Sequence, residues 1–187
     1  MERRGFLALS ATALGGFAAA LTALPFIKSF LPSAKARAEA NPIEVDLTEI
    51  APGQVGAYTY RGKTVLVLRR TREMLAALDS MADRRFDNDA AADPAYVNAA
   101  DRAINPEFLV VSGVCTHLGC VPQRHAEDGK RIVGDWFTAG FICPCHVSTF
   151  DLTGRVVRGP APHNLPIPPH RYLSPTRLII GEPTKLT

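Results

Sequence analysis

The sequence predicts a small, mainly antiparallel β domain that follows one N-terminal transmembrane helix. Three features of the 187 residues indicate this: an uncharged run near the N-terminus, short β-branched segments between turns, and two cysteine–histidine loops. The net charge of +3 is unevenly placed, because residues 2–37 carry +4 and the remainder carries −1. The β domain is therefore close to neutral, and its composition gives no basic face for nucleic acid.

The uncharged N-terminal run spans residues 5–27 and is bracketed by Arg4 and Lys28. About 20 helical residues, each rising 1.5 Å, cross a hydrocarbon core of roughly 30 Å. The stretch RRGFL, which begins at Arg3, resembles a twin-arginine export signal, a route that carries folded proteins. We interpret residues 1–30 as a retained signal anchor, with the N-terminus in the cytoplasm and the β domain in the periplasm.

A tether is predicted between the anchor and the first strand. Residues 31–42, LPSAKARAEANP, combine small residues and scattered charge with a proline near each end. This composition is typical of a linker rather than of a core segment. We interpret these residues as a flexible hinge, and the β domain as residues 43–187.

From Ile43 onward, short alternating or β-branched segments are separated by turn residues, which predicts strands. The predicted strands are, in chain order, IEVDL, VGAYTY, TVLVLRR, EFLVV, IVGDWF, GFIC and RLIIG. A short helix capped by Thr71 is predicted over residues 71–79, and a polar excursion with some helix over residues 80–106. Both cysteine loops are expected to project from neighbouring hairpins.

The cysteines lie in two short motifs, CTHLGC at residues 115–120 and CPCHVS at residues 143–148. Four of their side chains can bind a metal through sulfur or nitrogen, namely Cys115, His117, Cys143 and His146. Two thiolates with two imidazoles suit either a tetrahedral zinc ion or a mixed-ligand iron–sulfur cluster. The other two cysteines, Cys120 and Cys145, favour a disulfide between the loops, because the periplasm is oxidising.

CTHLGC followed by CPCHxS closely resembles the two ligand motifs of Rieske [2Fe-2S] proteins, specifically the iron–sulfur subunits of ubiquinol–cytochrome c reductase (cytochrome bc) complexes. The twin-arginine anchor, the alanine-rich hinge and the segment GPAPHNL at residues 159–165 extend this resemblance over nearly the whole chain. It implies a small antiparallel β-sandwich Rieske domain with a cluster-binding subdomain at about residues 112–163. It also implies that residues 159–162 shield the cluster.

The resemblance implies a role for each residue of the two motifs. It assigns three pairs, which are the thiolate ligands Cys115 and Cys143 on one iron, the imidazole ligands His117 and His146 on the other, and the disulfide Cys120–Cys145. Ser148 matches a serine whose hydroxyl bonds a bridging sulfide. The family usually has glycine where this chain has Val147, and a β-branched residue disfavours positive φ, so a difference either in the local backbone or in the packing over the cluster is expected. Phe150 replaces a frequent tyrosine, and the missing hydroxyl is expected to lower the potential.

The function that the resemblance implies is electron transfer within a membrane oxidoreductase of a respiratory or photosynthetic chain. Ubiquinol would give a hydrogen bond and a proton to His146 and an electron to the single [2Fe-2S] cluster, which passes the electron to a c-type cytochrome. The implied partners are cytochrome b and a c-type cytochrome, in a dimeric complex of the bacterial inner membrane. No nucleic-acid partner is implied.

Three other interpretations fit parts of the sequence. The small subunit of arsenite oxidase shares the export signal and the disulfide, but the long anchor and GPAPHNL argue against it. A Rieske ferredoxin that serves an oxygenase would normally be cytoplasmic and lack the second cysteine pair. A structural zinc domain would be colourless. The remaining histidines, His125, His163 and His170, lie in polar or proline-rich stretches and are assigned no role.

Overall fold

The computed structural model describes residues 3–86 and 93–184, and the chain divides into two compact units, residues 1–38 and 39–187. The first unit contains the 27-residue helix α1, Arg3–Ser29, which buries none of its residues. Its length and hydropathy are sufficient to cross a membrane, so the predicted N-terminal apolar helix is confirmed. A six-residue helix, α2, at Ala34–Glu39, lies within residues 31–42, where the hinge is predicted.

The second unit is mainly antiparallel β structure, as predicted. Its described strands are, in chain order, β1 (Ile43–Asp46), β2 (Val55–Tyr60), β3 (Lys63–Arg69), β4 (Phe108–Ser112), β5 (Gln123–His125), β6 (Gly140–Ile142), β7 (Thr149–Phe150), β8 (Val156–Arg158), β9 (His170–Ser174) and β10 (Arg177–Ile180). They form a first sheet in the order β1-β10-β9, a second in the order β2-β3-β4, and a third in the order β5-β6-β7-β8. The short helix α3, Arg72–Ala76, begins after Thr71, whose hydroxyl accepts a hydrogen bond from the Met74 amide as predicted.

Strands β3 and β4 are buried on both faces, and the successive side chains of β3 point to opposite apolar cores. Val65 and Val67 join the sandwich core, whereas Leu66 and Leu68 join the central core. The sandwich core comprises Val45, Leu47, Ile50, Tyr60, Val65, Val67, Phe108, Val110, Leu178 and Ile180. The central core comprises Leu66, Leu68, Met74, Leu109, Val111, Cys115, Phe141, Cys143, Phe150, Leu152, Val156, Ala161, Leu165 and Ile167. A smaller outer core comprises Met81, Val133, Phe137, Ile142 and Val157.

The predicted strand over residues 132–137 is wrong. Residues Lys130–Val133 form one helical turn, α4, which ends at Gly134 with a φ of +113°. Val133 and Phe137 are nevertheless buried in the outer core. A short apolar run is compatible with either a strand or a buried helical turn, so its periodicity alone could not distinguish them.

The cysteine loops meet at one sheet, but only the second is a hairpin loop. Residues 143–148 connect β6 to β7, which pair antiparallel. Residues 113–122 instead connect β4 of the second sheet to β5 of the third, so the prediction of a hairpin is wrong for the first loop. Because β5 pairs with β6, the two loops still lie side by side.

The predicted polar excursion is tied to the domain by a buried arginine. Residues 87–92 of the excursion lie outside the described residues; the described part contains one helical turn at Ala82–Arg84. The Arg102 side chain, 2% exposed, pairs with Asp93 at 2.6 Å and donates to the carbonyl oxygens of Thr153 and Leu165. Arg102 therefore fixes both the turn after β7 and the end of the GPAPHNL segment.

Acid should destabilise the domain through His170. Its ring is 1% exposed, and its Nδ1 lies 2.8 Å from the carbonyl oxygen of Pro168. Burial lowers the pKa of His170, so below the ordinary value of 6.5 the unfolded chain binds more protons than the folded domain. Stability should be unaffected above that pH and fall as the pH drops through the folded-state pKa, by at most about 1.4 kcal/mol per pH unit. Urea unfolding between pH 5 and 8 measures this slope.

The control for this prediction is His170→Gln, whose amide can still donate to the Pro168 carbonyl but does not titrate. The variant should lose the histidine contribution to the acid slope. If the wild type and His170→Gln show the same pH dependence, another group causes the acid destabilisation.

Candidate metal centre

The two cysteine loops, residues 115–120 and 143–148, repeat one backbone arrangement. In the first, the Cys115 amide donates to the Cys120 carbonyl at 2.9 Å, and the Gly119 amide donates to the Cys115 carbonyl at 2.9 Å. In the second, the Cys143 amide donates to the Ser148 carbonyl at 2.8 Å, and the Val147 amide donates to the Cys143 carbonyl at 3.0 Å. Each loop therefore begins at a cysteine whose own N–H and C=O groups close it.

The thiols of Cys115 and Cys143 are free, and each residue is only 2% exposed. They are neighbours within the central core. Burial raises the pKa of the Cys115 thiol, and the adjacent Cys143 raises it further. If both buried thiols were ionised, a cation would be needed to compensate their negative charge. Cysteines that bind a metal occupy this kind of environment.

The imidazoles of His117 and His146 form a second pair. Their ring centroids lie 4.7 Å apart with the ring planes at 88°. His117 is partly exposed and His146 is exposed, in contrast to the buried thiols. The centre thus has a protected sulfur side and an accessible nitrogen side.

Cys120 and Cys145 form a disulfide that joins the two loops, with their Cα atoms 6.6 Å apart. Further contacts come from residues 159–165, which we call the proline loop. The Thr116 hydroxyl donates to the His163 carbonyl at 2.6 Å, and the Ala161 amide donates to the Ser148 hydroxyl at 3.1 Å. Both motifs are therefore held against the proline loop. The sequence did not single out Thr116, although its place between Cys115 and His117 could have drawn attention to it.

A buried carboxylate fixes the turn that follows the second motif. Asp151, 0% exposed, accepts from the Thr153 amide at 2.8 Å and the Arg155 amide at 3.0 Å. It also pairs with Arg85 at 2.7 Å. These bonds support β7, which carries Phe150 next to the centre.

The spacing of the candidate ligands fits a cluster better than a single ion. Around one tetrahedral zinc ion, with bonds of about 2.0–2.3 Å, the ligand atoms lie within about 4 Å of one another. Among residues 3–86 and 93–184, the only three cysteine, histidine or carboxylate ligand atoms within 4.8 Å of one another belong to Cys120, Cys143 and Cys145. Two of these belong to the disulfide, so the described residues do not bring three free ligand atoms this close together. Separate thiol and imidazole pairs suit a group with two metal atoms.

Two departures from the family pattern have different structural outcomes. Val147 adopts a φ of +58°, so the first expected difference, a shift of the backbone away from positive φ, is not found, and a difference in the packing over the cluster stays a prediction. Phe150 is 0% exposed within the central core, beside the two thiols, and offers no hydroxyl to them. The expected lower potential therefore stays a prediction.

Comparison with known proteins agrees with this geometry. The Rieske [2Fe-2S] domain family matches residues 43–169, and the family described as "Ubiquitinol-cytochrome C reductase Fe-S subunit TAT signal" matches residues 1–33. The chain is 43% identical over 183 residues to the ubiquinol-cytochrome c reductase iron-sulfur subunit of Allochromatium vinosum, covering 96% of this chain and 88% of that protein. The subunit of the same name from Blastochloris viridis is 37% identical over 179 residues, covering 96% of this chain and 92% of that protein.

A solved chain described as "Hyperthermophilic respiratory Complex III" also aligns with this one, at 26% identity and a TM-score of 0.47, covering 95% of this chain and 99% of that chain. The family match and the two curated relatives, which span most of the sequence, decide the assignment. The chain belongs to the Rieske [2Fe-2S] family and, within it, to the iron–sulfur subunits of ubiquinol–cytochrome c reductase, an oxidoreductase.

Proposed function

We propose that this subunit accepts one electron and one proton from ubiquinol and passes the electron to a c-type cytochrome. The observation that supports this is the arrangement of the centre, in which two buried thiols and two accessible imidazoles share one disulfide-bridged pair of loops. The binding site has one side that is protected from solvent and one side that is open. Such a site suits electron transfer between its redox group and a partner that docks at the open side.

The side chains divide into holding and proton-handling roles. Cys115 and Cys143 would hold one iron of the cluster, and His117 and His146 would hold the other. When bound, the [2Fe-2S] cluster supplies a one-electron acceptor. The buried Ser148 hydroxyl acts as a hydrogen-bond donor to the sulfur atom of Cys115.

His146 is the residue that meets the quinol. Its exposed ring can accept a hydrogen bond at Nε2 from the quinol hydroxyl and then take that proton. Leu118, 71% exposed, and Val121, 43% exposed, place apolar surface beside the first loop. That surface suits contact with a hydrophobic substrate and its binding subunit.

The membrane arrangement extends the proposal. Helix α1 anchors the chain in the bacterial inner membrane, with a cytoplasmic N-terminus and a periplasmic Rieske domain. Residues 31–42 act as the hinge that lets the Rieske domain move between cytochrome b, where quinol binds, and the c-type cytochrome of a dimeric complex.

The pH dependence of the midpoint potential tests the coupled proton. The potential of the purified protein should be constant in acid and fall in alkali. The decline should approach about 59 mV per pH unit for each proton coupled to the electron. The reason is that an oxidised metal withdraws charge from its imidazole ligands and makes their protons easier to lose. Redox titration followed by EPR measures the curve.

His125→Gln is the matched control, because His125 pairs with Asp128 at 2.6 Å and is not a ligand in the proposal. This variant should give the wild-type curve. A wild-type potential that stays constant into strong alkali would exclude both the histidine ligation and the proton transfer to His146.

A further inference from the structure

Val147 has a backbone conformation that its type of side chain disfavours. Its φ is +58°, and the fifth residue of the first loop, Gly119, has a φ of +88°. Because both loops close with the same two hydrogen bonds, this position needs a left-handed residue in each. Glycine meets that need without strain, whereas a β-branched residue is a steric outlier that its surroundings must hold in place.

The outer core provides one such restraint. The Val147 side chain is half-buried against this core, which also contains Ile142 and Val157. Ile142 directly precedes Cys143, so the second loop contacts the same core at both of its ends. The first loop has no such contact, since a β-carbon on Gly119 would meet a single described atom within 4 Å, Cγ1 of Val114 at 3.9 Å.

The proline loop provides the other restraint. A β-carbon on Gly159 would lie 2.6 Å from Cα of Ser148 and 3.1 Å from the carbonyl oxygen of Val147, so the two backbones are in direct contact. The same Val147 carbonyl accepts a hydrogen bond from the Thr149 hydroxyl at 3.1 Å. The Val147 peptide is therefore fixed on its polar side as well as on its apolar side.

We propose that Val147 is a positioning residue for His146. Its side chain attaches the second loop to the outer core and so holds the neighbouring imidazole in one orientation. The functional consequence rests on the proposed role of His146.

Amide hydrogen exchange of the purified, oxidised protein tests the attachment. Val147→Ala keeps a β-carbon in the left-handed conformation but removes the methyl groups that pack. Exchange over residues 143–148 should accelerate by about tenfold or more, with little change over residues 115–120. Val147→Ile retains a branched apolar side chain and should stay within about twofold of wild type.

The matched control is Val67→Ala, which removes the same methyl groups from the fully buried Val67 of the sandwich core. It should not accelerate exchange selectively in the second loop. If Val147→Ala does not accumulate as folded protein, Val157→Ala truncates the outer core against which Val147 packs and carries the same expectation.

The EPR linewidths of the reduced protein provide a second measurement. A loss of stability alone would not change these linewidths. Val147→Ala should broaden the lines at unchanged iron content, because the His146 ring samples more orientations, and Val147→Ile should restore the wild-type widths. Wild-type exchange and wild-type linewidths in Val147→Ala would overturn the proposal. If the loop loosens in Val147→Ala while the wild-type potential proves independent of pH, the attachment holds and the proposed role of His146 fails.

Discussion

A Cys143→Ser variant is expected to assemble no cluster. Its purified form should lose the visible absorption and the reduced-state EPR signal, and its iron content should fall from about two atoms per chain to near background. Cys143 is 2% exposed and shares the central core with Cys115, so a serine hydroxyl placed there cannot replace a thiolate and cannot reach water. The expected loss is therefore nearly complete rather than graded.

The control is the double variant Cys120→Ser/Cys145→Ser, which removes two cysteines from the same loops but keeps both free thiols. It should still bind iron when freshly prepared. A Cys143→Ser protein with the wild-type EPR spectrum would refute the ligand assignment. A colourless wild type that contains one zinc atom would refute the cluster itself.

The same double variant should be the least stable of the proteins considered. The disulfide joins residues 25 apart, and the chain-entropy relation gives about 3.5 kcal/mol for a loop of that length at 25 °C. Without it, the two loops are held together by the short β5–β6 pairing and by the proline loop. The urea midpoint should fall accordingly, and iron should be released faster at a given urea concentration.

Reduction of the wild type offers an independent check of that prediction. Cys145 is exposed, so a small thiol reagent can reach the disulfide, and the reduced protein should approach the urea midpoint of the double variant. An unchanged midpoint would show that other contacts hold the loops. Mass spectrometry that finds both cysteines reduced in protein isolated from cells would show that the native state lacks the disulfide.

The sequence predicted the parts of the fold that carry a strong local signal. A short window of sequence is enough to recognise three such parts, namely the uncharged residues 5–27, the β-branched strand β3 and the two cysteine motifs. Strands β5 and β7 do not, because they contain three and two residues and exist through pairing with β6. Pairing between short strands is a tertiary effect, and a propensity argument cannot detect it.

Val147 shows a second limit of reasoning from residue type. Its β-branched side chain correctly indicated a disfavoured conformation, but of the two differences expected, in the local backbone or in the packing over the cluster, the backbone shift is not found. The hydrogen bond to the Cys143 carbonyl and the contact with Gly159 keep the local path, and packing in the outer core offsets part of the strain. The first of these lies within the second loop, but Gly159 and most of the outer core belong to other segments of the chain, so the local sequence could not predict those two contacts.

The pairing of β1 with β10 sets the order of events during biosynthesis. Ile43 lies opposite Ile180, so the first strand of the domain cannot pair until residue 180, synthesised 137 residues later, has left the ribosome. At about 5–20 residues per second, that delay is on the order of ten seconds. During this time helix α1 has already been synthesised, but the sandwich core is incomplete, because Leu178 and Ile180 belong to that core. An export route that accepts only folded cargo would therefore select for chains that include β10, since a chain truncated before β10 cannot close this sheet.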